Sequence, residues 1–177
     1  MEENVSVWKA NLTNGIIFGL LGVVFTLVMY FLDLTFNKVP GYIFLVAQIF
    51  IIYYMIRSYR NSYLYGYITY GQSLGAGVII FLYSSIITAI FTYILYKFID
   101  TGLTAKMLAF TEEAMVKKGL PQTAIDAGMS MQKKIMIPEI MAPFTILGTM
   151  FGGTIISLIV SIFTRKEGNP LVDAPSN

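Results

Sequence analysis

The chain has 177 residues and contains neither cysteine nor histidine. Without cysteine there is no disulfide framework, thiol nucleophile or thiolate metal ligand. Without histidine it lacks the commonest general base, the commonest metal ligand and the usual near-neutral pH switch. Charge is scarce as well: 12% of residues are charged, against about 25% in soluble domains. A net charge of +2 is too small to point to nucleic acid. These gaps leave no catalytic, metal-binding or cofactor-binding constellation to assign. What fills the chain instead is apolar: 56% of residues are hydrophobic and the mean hydropathy is +0.69.

The apolar residues fall into runs. The N-terminus sets Glu2 and Glu3 against Lys9 without a small-residue cleavage site, so it reads as a polar lead-in and not a secretory signal. Gly15 to Leu32 is then uncharged over 18 residues, enough for a spanning helix at about 15–33. A tight connection follows through Asn37, Lys38, Pro40 and Gly41. Tyr42 to Ile56 has 15 residues and is short for a span. It reaches across, at about 41–57, if Arg57 snorkels and Tyr53 and Tyr54 sit in the headgroup layer. A third span covers about 73–99 and a fourth about 139–163, and the polar tail at 167–177 is expected to be disordered. The predicted fold is an all-α membrane protein with four transmembrane helices as two hairpins.

Between the third and fourth spans, residues 101–137 read as a helical amphipathic insert. Its first helix, with Leu103, Met107, Phe110, Ala114 and Met115 near one face, stops at Gly119. Pro121 opens a second, with Ile125, Met129 and Ile135 less cleanly aligned. Such helices can pack on the bundle, lie in the interface or grip a partner.

The stretch Arg57–Gly77 joins the second and third spans and reads as a loop. It holds two of the three arginines, five tyrosines and four glycines, with no acidic residue. Arg57, Arg60, Tyr63, Tyr67 and Tyr70 are therefore candidate contacts for membrane lipids or a partner, with an aromatic belt as the simpler reading. Arg57, Arg60, Arg165, Lys166 and Lys9 flank spans on the side of the termini. Lys38, Lys97 and the lysines of the insert lie opposite, interleaved with Glu112, Glu113 and Asp126. Weighting charges close to span ends puts both termini in the cytoplasm, for a multi-pass protein of the bacterial inner membrane.

Small residues recur within the spans. Gly15 and Gly19, and Gly148, Gly152, Gly153 and Ser157, have the spacing that lets helices approach closely, within one chain or in a homo-oligomer. Ser84, Ser85, Thr88 and Thr92 either line a polar pathway or bond their own backbone. Pro143 either starts the regular part of the fourth helix or kinks it. Deep in the apolar runs only Gln48 is strongly polar, which argues against an ion-coupled transporter. Asp33 and Asp100 close the first and third spans in similar ways, after FTLVMYFL and FTYILYKFI, as a duplicated hairpin would. Lys97 is the expected partner of Asp100.

GYITYGQSLGAG after RSYRN, NGIIFGLLG before it, and KKGLPQTAIDAGMSMQKK followed by IPEIMAPF resemble a Bacteroidota membrane family, domain of unknown function 4199. The likeness covers about residues 8 to 166. It implies a four-helix inner-membrane protein without agreed activity or catalytic residues, and a setting near polyprenol-phosphate glycosyltransferases. The leading functional expectation is a non-enzymatic accessory or scaffold subunit that binds a membrane-protein partner or its own copy. The alternatives are a small translocator of lipid-linked substrates, a partner of such a glycosyltransferase and, last, an enzyme built on Asp33, Asp100 or Glu139.

Overall fold

A computed structural model describes residues 6–168. It contains helices α1 (Val7–Phe31), α2 (Lys38–Tyr63), α3 (Tyr70–Ile94, extended by a π-helical turn at Leu95–Ile99), α4 (Leu103–Lys117), α5 (Gln122–Ile135) and α6 (Pro138–Thr164). Four of these, α1, α2, α3 with its π turn and α6, are long and apolar enough to cross a membrane. The predicted tail lies outside the described residues from 169 onward.

Every span is longer than its uncharged run. The side chain of Ser6 accepts from Lys9 N–H and starts α1 eight residues before Gly15. Asn37 caps α2 through Val39 N–H, and α2 continues to Tyr63, so it has 26 residues and no shortfall. The reading of Arg57–Gly77 as a loop is thus corrected. Arg57–Tyr63 are the last turns of α2, and Tyr70–Gly77 are the first turns of α3. Arginine and tyrosine are compatible with helix, and their long polar ends reach the interface from a helical backbone. The true connection is Leu64–Thr69, turned by positive φ at Tyr65 and Gly66. A reciprocal capping box, Thr69 with Gln72, starts α3. Pro138 is the first residue of α6 and Pro143 lies inside it, so Pro143 does not start the helix.

Of the two expected hairpins, the second, α3 with α6, packs closely, whereas α1 packs on α3 more than on α2. α3 is the centre, lying parallel to α1 and antiparallel to α6. Of the most apolar window of each span, 39% is buried in α3 but only 11% in α2. Lipid tails offer no hydrophobic drive between helices, so close backbone approach has to supply the contact. Along α1–α3, Gly15 lies under Tyr83 and Gly19 under Ile87, where an added Cβ would come within 2.5 Å and 2.9 Å. Along α3–α6, a Cβ on Gly77 would meet Ser157 Oγ at 2.5 Å, and one on Gly153 would overlap the ring of Phe81. Phe81 itself is 2% exposed and meets Phe18 of α1 edge to face, with centroids 5.2 Å apart. The sequential pair α1–α2 touches less, chiefly where Phe25 stacks on Phe44 at 4.1 Å. The reason is that α2 offers no small-residue seam to its neighbours.

Two of the glycines do not pack as the spacing predicts. A Cβ on Gly148 or on Gly152 would have nothing within 4 Å. Four-residue spacing puts both on one stripe of α6, but that stripe faces away from α3. This yields a sharp expectation for adjacent residues. Gly153→Ala should lower stability in detergent by about 1–3 kcal/mol through overpacking against Phe81, while Gly152→Ala should leave the thermal midpoint in place. Equal midpoints for the two variants would contradict this packing.

Candidate functional site

The two ends of the four long helices are built differently. At the end carrying both termini, the segment after α6 is fastened to the α2–α3 connection. Ile68 and Lys166 exchange backbone hydrogen bonds of 3.0 Å and 2.9 Å. Ser73 and Thr164 hydroxyls meet at 2.5 Å, and Tyr70 donates to Leu158 O at 3.2 Å. Arg60 Nη1 donates to Thr164 O at 2.9 Å, and its Nε to Asn61 Oδ1 at 3.2 Å. Thr164 is the last residue of α6, so the guanidinium satisfies a carbonyl that the helix leaves open and sits at the negative end of its dipole.

The candidate contacts therefore separate. Arg60 and Tyr70 serve the fold. Tyr67 lies under Lys166 Nζ, 5.3 Å from the ring centroid, and Tyr63 tilts against Tyr59 at 5.8 Å with its own side chain exposed. Arg57, one turn before Arg60 on α2, is exposed beside Tyr54, Ser58, Asn61 and Ser62. Its sequence neighbour in charge is a staple; Arg57 is not.

At the opposite end Asp33 has a backbone role, and Asp100 and Glu139 use their carboxylates in structural contacts. Asp33 takes positive φ as the residue after the α1 cap. There its N–H bonds Tyr30 O at 3.1 Å while Leu34 N–H bonds Met29 O at 2.8 Å, a Schellman closure. Asp100 accepts from Gly102 N at 2.9 Å and Tyr30 Oη at 3.4 Å, and pairs with Lys106 at 3.5 Å. Lys97, expected beside Asp100, instead pairs with Glu139 at the start of α6 and lies over Tyr93, 5.0 Å from its centroid. The π-helical turn at 95–99 shifts the helical phase between Lys97 and Asp100, which parts them.

The insert is a helical hairpin. Gly119, with φ of +72°, closes α4 as predicted, and Met115 of α4 packs on Gly128 of α5. Phe110 stacks on Phe36 at 5.5 Å and Tyr96 Oη approaches Met107 Sδ at 3.9 Å, tying the hairpin to the bundle. Leu103, Ile125 and Met129 are buried, but Ile135 is not. The exposed pair Glu113 and Lys117 meets at 2.7 Å, and that lysine holds the Glu113 carboxyl below its ordinary range.

Between α2 and α6 lies a groove of about 440 Å³ whose floor is Phe81 and whose α6 wall is Gly148, Gly152 and Gly153. Gln48 lines this groove and also a smaller inner cavity of about 110 Å³ with Ser84, Thr88 and Thr149. Several hydroxyls of the spans bond their own helices: Thr26 to Gly22 O, Ser85 to Leu82 O, Thr88 to Ser84 O, Ser157 to Gly153 O. Ser73 and Thr164 pair across α3 and α6, and Ser161 Oγ is buried without a partner among the described residues. No signal in the sequence announces the groove, because it exists only where α2 stands off from α6.

The staple makes a direct prediction. Arg60→Gln should cost about 1.5 kcal/mol, as for a hydrogen bond from a charged donor. Arg57→Gln should change detergent stability by less than about 0.5 kcal/mol, as exposed substitutions do. Matching losses would show that the arginines act as a pair.

A family model described as "Protein of unknown function (DUF4199)" matches residues 13–166, so the chain belongs to that family. No curated protein and no solved structure matches it.

Proposed function

We propose that this DUF4199 protein is a non-enzymatic accessory subunit of a membrane complex, with the α4–α5 hairpin as its platform for a membrane-protein partner. One observation carries the reading. The hairpin has already buried Leu103, Ile125 and Met129, yet it leaves Met131 67% and Val116 57% exposed, with Leu120 and Ile135 also outside. Met131 and Ile135, four residues apart on α5, make an outward apolar stripe distinct from the buried Ile125 and Met129. Lys117, Lys118, Lys133 and Lys134 neighbour these residues in the chain, in keeping with the polar and charged rim that interfaces carry around an apolar centre. The engagement of the Asp100 and Glu139 carboxylates in hydrogen bonds and ion pairs supports a structural use of both over a catalytic one.

The second reading, a small translocator of lipid-linked substrates, draws on the membrane-open groove at Gln48. That groove lies between α2 and α6, and none of the buried hydroxyls Ser73, Ser84, Ser85, Ser157, Ser161 and Thr164 lines it. It supports holding a molecule better than passing one across.

The orientation we propose keeps both termini cytoplasmic, since all three arginines flank spans at that end. The hairpin then faces the periplasm. Because the chain lacks cysteine, Met131→Cys is a single reporter for both claims. A membrane-impermeant thiol reagent should label it fully from the periplasmic face. A thiol-anchored photocrosslinker there should yield discrete protein adducts in native membranes, while thermal stability stays within about 0.5 kcal/mol of the parent. Protection from the reagent would reverse the orientation. Adducts with lipid alone would mean that the hairpin lies in the interface and has no partner there.

A further inference from the structure

The groove between α2 and α6 does not stop at Gln48. Through Ile49 it runs into a second hollow, of about 490 Å³, walled by Phe50, Tyr53, Val160 and Phe163. Tyr54 borders that hollow and also the shallow one around Arg57. Phe50, Tyr54, Arg57 and Asn61 follow at helical spacings of four, three and four residues, so they make one stripe along α2. From Gln48 to Arg57 the helix rises about 14 Å. Half of a hydrocarbon core about 30 Å thick is nearly the same distance. The seam therefore has the depth of one leaflet, apolar along its length and cationic at its mouth.

The charge at that mouth is uncompensated. Arg57 forms no ion pair or hydrogen bond among the described residues. No acidic residue occurs between Asp33 and Asp100; Arg60, Arg165 and Lys166 sit at the same end, where Glu167 lines the separate hollow of Tyr67 and Lys166 and not the one around Arg57. We propose that the seam holds one anionic phospholipid of the leaflet on the side of the termini. One acyl chain lies along α2 and α6, against the open faces of Gly148 and Gly152, and the phosphate sits on Arg57. A guanidinium offers a planar fork that matches phosphate oxygens, whereas lysine offers only a point charge. Ser58, Asn61 and Ser62 add neutral hydrogen-bonding groups at headgroup level. A zwitterionic headgroup fits less well, because its ammonium would find Arg57 and no carboxylate among the residues of that hollow. This site is independent of the partner platform on α4–α5, and either can fail without the other.

The test uses the full chain, purified in detergent and titrated with phosphatidylglycerol or phosphatidylcholine, and read by native mass spectrometry and thermal shift. The parent protein should retain one phosphatidylglycerol per chain and prefer it to phosphatidylcholine. Arg57→Gln should weaken that binding about five-fold, the effect of losing about 1 kcal/mol per interfacial cation. Arg57→Lys should recover part of it. Gly152→Leu, which fills the seam where a Cβ meets nothing, should abolish retention without unfolding the protein. Arg60→Gln should lower stability yet leave the preference for phosphatidylglycerol intact. The proposal is overturned if Arg57→Gln binds as well as the parent, if both lipids bind alike, or if lipids adhere in a graded shell insensitive to Gly152→Leu. A dimer without lipid that Gly152→Leu dissociates would equally overturn it, since a second copy would then occupy the seam.

Discussion

The close approach of α3 to both α1 and α6 is the contact on which the rest of the structure depends. In lipid, a helix gains little by exchanging a lipid tail for a leucine, so association rests on how near the backbones come. Gly15 and Gly19 admit Tyr83 and Ile87 of α3, and Gly153 admits Phe81. Gly77 of α3 in turn admits Ser157 of α6. Phe81 is the point of convergence. It fills the space above Gly153, meets Phe18, and forms the floor of the groove outside.

With α3 occupied on two sides, α2 is left at the edge. Its buried residues Ile52, Ile56 and Tyr59 all lie in the half toward the termini, where Arg60 fastens it to the end of α6. The other half stands off, and the groove opens beneath it. The clasp made by Arg60, Ser73, Thr164 and the Ile68–Lys166 bridge thus decides where α2 is held, and by default where the membrane has access. The opposite end uses another chemistry: Lys97–Glu139 joins the end of α3 to the start of α6, and Asp100–Lys106 ties α4 to the end of α3.

The four long apolar helices, the two shorter helices between the third and fourth of them and the stop at Gly119 were legible in the sequence because each depends on local patterns: uncharged length, helical periodicity, and a glycine free to take positive φ. The loop misreading at Arg57–Gly77 came from treating arginine, tyrosine and glycine as the end of a helix. Thr69-x-x-Gln72 was the signal for the true start of α3, since a capping box has that spacing. Other features had no local signature. Gly148 and Gly153 look alike in the chain, and only the rotation of α6 against α3 tells which one is buried. Arg57 and Arg60 likewise differ only in which neighbour the three-residue step turns them toward. The partner of Lys97 was obscured by a π-helical turn, which no periodicity argument at 3.6 residues anticipates.

The central position of α3 is open to one direct measurement in the cysteine-free chain. Ser73→Cys with Thr164→Cys joins α3 to α6, where the native hydroxyls are 2.5 Å apart. Gly22→Cys with Thr88→Cys joins α1 to α3, where a Cβ at Gly22 would lie 3.4 Å from Thr88 Oγ1. Mild oxidation in native membranes, read by peptide mapping, should close both disulfides within single chains, because both distances suit that bond. If monodisperse, folded protein closes neither pair, α3 does not lie between α1 and α6, and the account of the groove fails with it.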